Sequence, residues 1–314
     1  MKLFRSLTEI DEALRGGAVT IGNFDGVHRG HARIVNELRA LAKKHAGPAI
    51  VFTFDPHPVR LLRPELTPPP LTWTSRKAML LEELGVDATV VYPTDRALLN
   101  LTAEEFFQQI ILDALGAKAL VEGPNFAFGK GREGSIAVLA ELCKRHQMEL
   151  QVVEPLLESE DYVSSSRIRN AIAEGDVDTA SSQLTHPYRV RGMVTHGMNR
   201  GSEIGFPTAN LDAIDTLIPA PGVYAGVART DLGALPAAIH IGGNPTFQED
   251  DQKFEVHLID FEGNLYGQVM EVDLLSRLRA TTTFESVDAL TGQLQRDVQT
   301  ARELATSYLS SLDA

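Results

Sequence analysis

The hydrophobic pattern of this chain changes partway along its length, and that change constrains the fold more than any other feature. Up to residue 184, short apolar runs alternate with amphipathic stretches. Runs typical of strands lie at 18–22, 49–54, 88–92, 119–121 and 150–153, and stretches typical of helices lie at 31–45, 75–84, 102–115 and 135–146. This order predicts an α/β domain in which helices cover a parallel sheet.

A second pattern begins after a helix expected over 167–184 and the sequence Thr185-His186-Pro187. From Tyr188 to about Leu275, short alternating runs are separated by glycine and proline turns. They predict antiparallel strands that close into a small β-barrel, and a helical period over 284–309 predicts a terminal helix. Because 314 residues exceed the usual size of one domain, we expect two, at 1–184 and 185–314.

Composition narrows the class of protein. The net charge of -13 argues against a nucleic-acid partner, although a small anion such as ATP needs only a local patch of donors. The first six residues carry charge too early for a secretory signal, and no apolar run approaches the roughly 20 residues of a membrane span. The one cysteine, Cys143, excludes an intramolecular disulfide and a zinc site built from cysteines. These features predict a cytoplasmic protein, and they leave a homo-oligomer open.

The segment Gly26-Val27-His28-Arg29-Gly30-His31 follows a strand and opens a helix. Unpaired backbone N–H groups and the helix dipole make such a helix start a site for anions. His28 and His31, three residues apart, share one face, and Gly30 would let a phosphate approach the backbone. Taken alone, the pattern also fits a pair of surface histidines at a helix start.

Three later segments carry side chains that suit a phosphate or a planar ligand. Three serines precede Arg167 and form an anion cradle or an ordinary helix cap. Phe126 and Phe128 could flank a planar ring or could pack within the protein. Asp55, between Phe54 and Pro56, could accept from a ligand or cap a turn.

A second glycine-rich motif, running from His196 to Asn210, lies in the other half of the chain. Its glycines suit a backbone that wraps a phosphate, while Thr208 and Asn210 offer hard oxygen ligands to Mg2+. The alternative is a glycine-rich turn of the barrel. Downstream, the period-2 strand Phe254–Leu258 puts Glu255 and His257 on the face opposite its apolar residues. That carboxylate could take a proton from a substrate hydroxyl, or the two side chains could form a solvated barrel face.

The motifs of the first half resemble the H-x-G-H nucleotidylyltransferase superfamily, and more narrowly the adenylyltransferase half of bacterial bifunctional riboflavin kinase/FAD synthetases. Segments 52–58, 123–134 and 163–169 resemble that family's conserved segments, in order. The second motif resembles the riboflavin kinase signature G-x-x-R-G-x-x-x-G-x-P-T-A-N, and 244–247 and 260–267 also match. The resemblance implies a Rossmann-like domain and a barrel kinase domain. It implies that riboflavin and ATP give FMN, and that FMN and a second ATP give FAD and pyrophosphate, with Mg2+ as the divalent cation.

The resemblance also assigns roles to individual residues. It assigns catalysis to Glu255, His28 and His31, and it assigns the metal to Thr208 and Asn210. Contacts to ATP and its phosphates are assigned to Asn23, Phe24, Gly26, Gly30, Ser164, Ser165, Ser166, Arg167, Arg200, Gly201, Gly205 and Pro207. Contacts to the flavin are assigned to Asp55, His57, Pro58, Asn125, Phe126, Phe128, Arg132, Arg277 and Arg279.

One segment departs from the family. Where the family reads R-x-E-x-K-F, residues 279–284 keep the arginine and the phenylalanine but lack the glutamate and the lysine. The effect on flavin affinity is open, and Arg277 and Arg279 are also candidates for a phosphate contact.

Two other hypotheses compete with a bifunctional enzyme. In one, the first half is a degraded module that only binds substrate, but the presence of His28, His31, Asn125 and Arg167 argues against it. In the other, the chain is a flavin sensor without turnover. Glu255 disfavours a sensor, because binding alone needs no base.

Overall fold

The computed structural model describes residues 1–158, 161–196, 201, 204–244 and 249–312. The chain forms two compact units. The first contains Met1–Pro68 and Trp73–Ser164, and the second contains Pro69–Thr72 and Ser165–Ala314.

The first unit is built on a sheet of six parallel strands. The strands are β1 (Lys2–Phe4), β2 (Ala18–Ile21), β3 (Ala49–Asp55), β4 (Ala88–Pro93), β5 (Ala119–Glu122) and β6 (Glu149–Val152). They lie in the order β1-β4-β3-β2-β5-β6, and each neighbouring pair is parallel. A short antiparallel pair, β7 (Leu157–Glu158) and β8 (Asp161–Tyr162), follows the sheet.

Helices cover both faces of this sheet. They are α1 (Arg29–Lys44), α2 (Pro58–Leu62), α3 (Thr74–Glu83), α4 (Arg96–Asn100), α5 (Ala103–Phe106), which continues as a π-helix over Phe107–Ala114, and α6 (Ile136–Arg145). Leu38 of α1 and Leu81 of α3 belong to the core on one face, while Phe107 and Leu139 belong to the core on the other. The predicted α/β architecture is confirmed.

The strand order places a switch point beside β2. The chain proceeds from β2 through β3 to β4 on one side, and it crosses back to add β5 and β6 on the other. In open parallel sheets, ligands bind at the carboxyl ends of the strands where the order reverses. The histidine motif follows β2 and the segment 123–134 follows β5, so both leave the sheet at this point.

The second unit is a closed antiparallel barrel with helices. Its strands are β9 (Tyr188–Thr195), β10 (Ala209–Asp212), β11 (Gly222–Thr230), β12 (Gly233–Asn244), β13 (Glu249–Leu258) and β14 (Val269–Arg279), in the order β10-β13-β12-β11-β14-β9. The helices are α7 (Ser165–Glu174), α8 (Val177–Gln183) and the terminal α9 (Val287–Leu312). The predicted barrel with its terminal helix is confirmed.

The helices of the second unit pack on the barrel through small and aliphatic residues. Ile168 and Ile172 of α7 and Val177 of α8 share a core with barrel residues such as Val256. Ala301 of α9 packs with alanines of β11 and β12. The helices α7 and α8 thus belong to the compact unit that begins again at Ser165. The boundary between the two functional domains at 184/185 stays a prediction.

Among the residues that the structure describes, no helix is both long and apolar enough to cross a membrane.

Candidate active sites

The turn between β2 and α1 has an unusual backbone. Phe24, Gly26 and Val27 all have positive φ angles, of 48°, 84° and 40°. Left-handed backbone is uncommon for a bulky residue and strained for a β-branched one such as valine. Phe24 and Val27 are buried in the core under α1, so packing of their side chains holds the turn in this conformation. Phe24 was predicted to contact ATP, but its ring lies in that core, 4.9 Å from the His31 ring.

His28 and His31 cap the start of α1 reciprocally. The backbone N–H of His31 donates to Nδ1 of His28, and the backbone N–H of His28 donates to Nδ1 of His31, both at 3.3 Å. The two rings stack with centroids 3.6 Å apart. This is the capping-box arrangement with imidazoles in place of the usual hydroxyl and carboxylate.

The capping bonds determine where the ring protons lie. An Nδ1 that accepts a hydrogen bond carries no proton, so the neutral ring of each histidine has its proton on Nε2. Burial lowers the pKa of His31 well below its usual value, and the neighbouring His28 and Lys77 lower it further. This geometry favours neutral rings that present Nε2–H as donors.

Gly30 makes room for the His28 ring. A Cβ at this position would lie 3.1 Å from both Cε1 and Nδ1 of His28, and 3.6 Å from the carbonyl oxygen of Val163. The sequence predicted that Gly30 admits a phosphate. The structure gives it a further reason, because any larger residue would press on His28. The distance to Val163 also shows that this residue, which precedes Ser164 and the serine segment, lies next to the histidine turn.

Lys77 is a residue that the sequence analysis missed. It lies on α3 with 9% of its surface exposed, and its Nζ donates to the backbone carbonyl of Asn23 at 2.7 Å. Burial lowers the pKa of the lysine, and the carboxylates of Asp25 and Asp55 oppose that effect. The buried ammonium of Lys77 thus supports the strained turn through this hydrogen bond. Lys77 and Asn23 are 54 residues apart in the sequence, so no local motif indicated that they meet.

Asn23 presents an acceptor at the same turn. Its backbone carbonyl also accepts from Thr53 Oγ1 at 3.1 Å, whereas its side-chain Oδ1 is buried with no hydrogen-bond partner in the described part of the chain. An unpaired buried acceptor is costly unless a ligand satisfies it. This observation supports the predicted contact of Asn23 with substrate.

The loop after β5 begins at a buried carboxyl group. Glu122 Oε1 accepts from the backbone N–H of Ile21 at 2.8 Å and so joins the carboxyl ends of β5 and β2. Burial raises the pKa of Glu122 well above its usual value, which favours the neutral acid. Asn125 and Arg132 in the following loop are exposed, as a ligand contact requires.

The two phenylalanines of this loop do not form a slot for a flavin. The rings of Phe126 and Phe128 stack on each other at 15°, with centroids 5.4 Å apart. That spacing is an ordinary aromatic pair and leaves no room for a third ring between them. Phe128 is 6% exposed and packs against Phe106, which favours the alternative in which this ring packs within the protein, and its contact with a flavin stays a prediction. A flavin contact by the less buried Phe126 stays a prediction.

Hydrogen bonds hold the end of β3 and the start of α2. Asp55 Oδ2 accepts from Thr74 Oγ1 at 2.6 Å, and the Asp55–Pro56 peptide bond is cis. His57 caps α2, because its Nδ1 accepts from the backbone N–H of Val59 at 3.1 Å, and Pro58 is the first residue of that helix. These contacts orient Asp55 and His57, whose roles toward a flavin stay predictions.

The serine segment and Arg167 lie where the chain passes from one compact unit to the next. Ser164 ends the first unit, and Ser165, Ser166 and Arg167 form the first turn of α7 in the second. Arg167 is partly buried and Ser166 is exposed. Their phosphate contacts stay predictions.

In the second unit, three polar residues form a row across neighbouring strands. Asn210 of β10 lies opposite Glu255 of β13, and Glu255 lies opposite His240 of β12. Directly opposed residues place their Cβ atoms about 4.5–5.5 Å apart on the same face. Phe254 and Val256 are buried in the barrel core, so the expectation that Glu255 lies on the opposite face is confirmed. The structure thus brings the predicted metal ligand Asn210 beside the predicted base.

The segment that carries Thr208 is held by local contacts. The backbone N–H of Phe206 donates to the Gly201 carbonyl at 2.7 Å, and a Cβ on Gly201 would lie 2.2 Å from the Phe206 oxygen. The ring of His257 bonds through Nδ1 to the Pro207 carbonyl at 2.8 Å. Gly201 is therefore required by close packing of the loop, and Gly205 turns the chain with a φ of 86°. Arg200 and residues 245–247 lie outside the described residues.

Two arginines predicted to contact the flavin have partners within the second unit. Arg277 donates to the carbonyls of Glu174 and Pro221, at 3.2 and 2.6 Å. Arg279 donates through Nε and Nη2 to Asp297 of α9, at 3.0 and 2.9 Å. These bonds give both side chains a structural role, and any ligand contact stays a prediction.

Comparison with known proteins supports two catalytic parts. A family model of FAD synthetase matches residues 10–167, and a family model of riboflavin kinase matches residues 184–305. The bifunctional riboflavin kinase/FMN adenylyltransferase of Escherichia coli (strain K12) is 37% identical, over 96% of this chain and 97% of that protein. Those of Haemophilus influenzae and Bacillus subtilis are 35% and 32% identical, over 98% and 93% of this chain and 100% and 93% of theirs.

A solved structure described as a macrolide-efflux protein from Streptococcus pneumoniae has the same overall fold. Its TM-score is 0.85 at 32% identity, covering 96% of this chain and 98% of that one. The family predicted from the motifs is confirmed by both family models and by these relatives. The chain belongs to the bifunctional riboflavin kinase/FMN adenylyltransferase family.

Proposed function

We propose that the two parts of this enzyme catalyse successive steps on one metabolite. The second unit transfers the γ-phosphoryl group of ATP to riboflavin and forms FMN, and the H-x-G-H unit transfers the adenylyl group of a second ATP to FMN and forms FAD. The observation that carries the proposal is the presence of a histidine-capped helix start in one unit and an Asn210–Glu255 row in the other. Each arrangement suits one of the two chemistries.

In adenylyl transfer, an oxygen of the FMN phosphate attacks the α-phosphorus of ATP. The new P–O bond forms as the bond to the pyrophosphate oxygen breaks. The attacking phosphate is ionised near neutral pH, so the step needs no general base. Catalysis depends on positioning and on stabilising the charge of the leaving pyrophosphate.

The capped histidines fit that requirement. We assign the Nε2–H groups of His28 and His31 to the polyphosphate, because both Nδ1 atoms are engaged with the backbone. The N-terminus of α1 adds its dipole at the same place. The buried Oδ1 of Asn23 supplies an acceptor for a donor group of the substrate.

In the kinase step, the riboflavin 5′-hydroxyl oxygen forms a bond to the γ-phosphorus while the bond to ADP breaks. We assign Glu255 as the base that accepts the hydroxyl proton. Its carboxylate is on the outer face of β13 and only 18% exposed, which suits a group that must meet a substrate in a partly dry cleft.

The donor set beside Glu255 fits Mg2+. Thr208 and Asn210 offer neutral hard oxygens, and no group of three or more histidine, cysteine or acidic residues within the described ranges could hold a metal. Mg2+ characteristically uses a few protein oxygens together with substrate phosphates. When bound, the ion would neutralise charge on the phosphates of ATP.

We also place the enzyme in the cytoplasm, which its single cysteine and its sequence favour.

The proposal is tested by incubating the purified protein with riboflavin, ATP and Mg2+ and separating the flavins by chromatography over time. We expect FMN first and FAD after it. If only FMN forms, and added FMN also stays unconverted, the first unit is a binding module without turnover. If riboflavin binds but neither product forms, the protein is a sensor and the proposal fails.

A further inference from the structure

His240 is the second residue of the Glu255 row and has no role in the mechanism above. Its Nδ1 lies 3.2 Å from Oε2 of Glu255, across the pairing of β12 with β13. The side chains are 20% and 18% exposed. A hydrogen bond that is largely shielded from water holds its geometry better than one on the surface does.

The chemistry of the two groups fixes the direction of this bond. An ionised carboxylate can only accept a hydrogen bond. Nδ1 of His240 therefore carries the proton, and this N–H donates a hydrogen bond to Oε2. A glutamate side chain rotates about three bonds, and ordering it costs conformational entropy. A donor on the neighbouring strand removes much of that freedom before the substrate arrives. Asn210 lies opposite Glu255 on β10, the strand on its other side.

We propose that His240 is a positioning residue for the kinase reaction, and that its hydrogen bond orients the Glu255 carboxylate for removal of the substrate hydroxyl proton. This inference rests on the proposed role of Glu255. In the step, the hydroxyl oxygen bonds to the γ-phosphorus, the bond between that phosphorus and the departing ADP oxygen breaks, and the proton passes to Glu255. His240 keeps its own proton and acts only through the carboxylate.

The test compares His240→Leu with His240→Asn. Leucine removes the donor, whereas the asparagine amide N–H can donate from nearly the position of Nδ1. We expect leucine to lower kcat for FMN formation about ten-fold, since misplacement of a catalytic group acts on the chemical step. KM for riboflavin and ATP should change less than about two-fold. Asparagine should retain at least about a third of kcat. Unchanged KM values for riboflavin and ATP check that the barrel of each variant is folded, and FAD formation from supplied FMN, a reaction of the first unit, should be unchanged in both.

A second measurement places both changes in a Glu255→Gln background. If His240 acts through Glu255, His240→Leu should leave the residual rate of Glu255→Gln unchanged, because coupled residues are not additive. The inference is overturned if leucine keeps wild-type kcat, if leucine and asparagine lower it equally, or if the leucine effect persists in the Glu255→Gln protein. Full kinase activity in Glu255→Gln alone would instead overturn the proposed role of Glu255, and the inference with it.

Discussion

His28 and His31 hold each other in place, since each ring accepts the other's backbone N–H at 3.3 Å and the two rings stack. The spacing of three residues is therefore needed twice. It builds the cap of α1, and it presents two Nε2–H donors side by side at the positive end of a helix. Because both roles depend on ring position, small displacements of either ring should affect catalysis.

Gly30→Ala should displace the His28 ring. Alanine inside a helix normally stabilises it by about 0.5–1 kcal/mol relative to glycine. Here the new Cβ would lie 3.1 Å from the ring, so we expect FAD formation from FMN to fall at least about ten-fold, with kinase activity retained.

Gly292→Ala is the matched control. Gly292 is also helical, and the nearest atom to its Cβ position is Arg296 Nη1 at 3.9 Å. This variant should keep both activities and gain about 0.5–1 kcal/mol in free energy of unfolding. Wild-type FAD synthesis in Gly30→Ala would show that the ring position is unimportant.

Lys77→Met should lower the rate of FAD synthesis, although Lys77 has no assigned contact with the reacting atoms. The change keeps most of the apolar volume but removes the donor to the Asn23 carbonyl, a charged hydrogen bond worth about 1.5–3 kcal/mol. We expect a loss of that size in the stability of the first unit and a lower kcat for FAD formation. Urea unfolding can be followed by Trp73, the chain's one tryptophan, which is 7% exposed in this unit.

Lys44→Met provides the comparison for Lys77. Lys44 is exposed and pairs with Glu149, and surface pairs contribute about 1 kcal/mol at most. Its loss should change neither activity. Equal behaviour of the two methionine variants would contradict a supporting role for the buried ammonium.

The stability of the first unit should depend on pH through His31. An unfolded histidine has a pKa of about 6.5, and burial holds the pKa of folded His31 well below its usual value. Between these two pKa values the unfolded chain binds a proton that the folded chain does not. The free energy of unfolding should therefore fall as pH drops below about 6.5. At higher pH His31 is neutral in both states, so its contribution to the pH dependence disappears.

His31→Gln isolates that contribution, because glutamine at this helix position can still accept the His28 N–H but does not titrate. Trp73 fluorescence in urea, measured at pH 7.5 and at lower pH, gives the comparison. The variant should lose less stability on acidification than wild type. Identical pH dependence would mean that His31 is protonated as readily folded as unfolded.

Much of the architecture followed from local patterns. The strand at 18–22 and the helix at 31–45 match Ala18–Ile21 and Arg29–Lys44 within two residues, because the apolar periods there are strong. The edge strand Lys2–Phe4 was missed, since three residues show no period and its pairing with 88–90 is set by the tertiary fold. The π-helix at Phe107–Ala114 has the same apolar pattern as an α-helix and was predicted as one.

The site residues were predictable only where they belong to a local motif. The period of β13 gave the face of Glu255, but the residues beside it depend on barrel register, so His240 and its bond were not predicted. Lys77 was missed for the same reason. Arg279 was assigned to the flavin from its place in a motif, whereas its partner Asp297 lies on a helix whose docking the sequence does not specify.

The central claim is that the two sites work independently, and one flavin assay of two variants tests it most directly. Glu255→Gln and His31→Ala are each given riboflavin or FMN with ATP and Mg2+, and FMN and FAD are quantified. We predict that Glu255→Gln makes FMN from riboflavin at only a small residual rate but converts supplied FMN to FAD at the wild-type rate. His31→Ala should form FMN from riboflavin at the wild-type rate and make little FAD from either flavin. Loss of both steps in either variant, or retention of both, would contradict two separate sites with these catalytic residues.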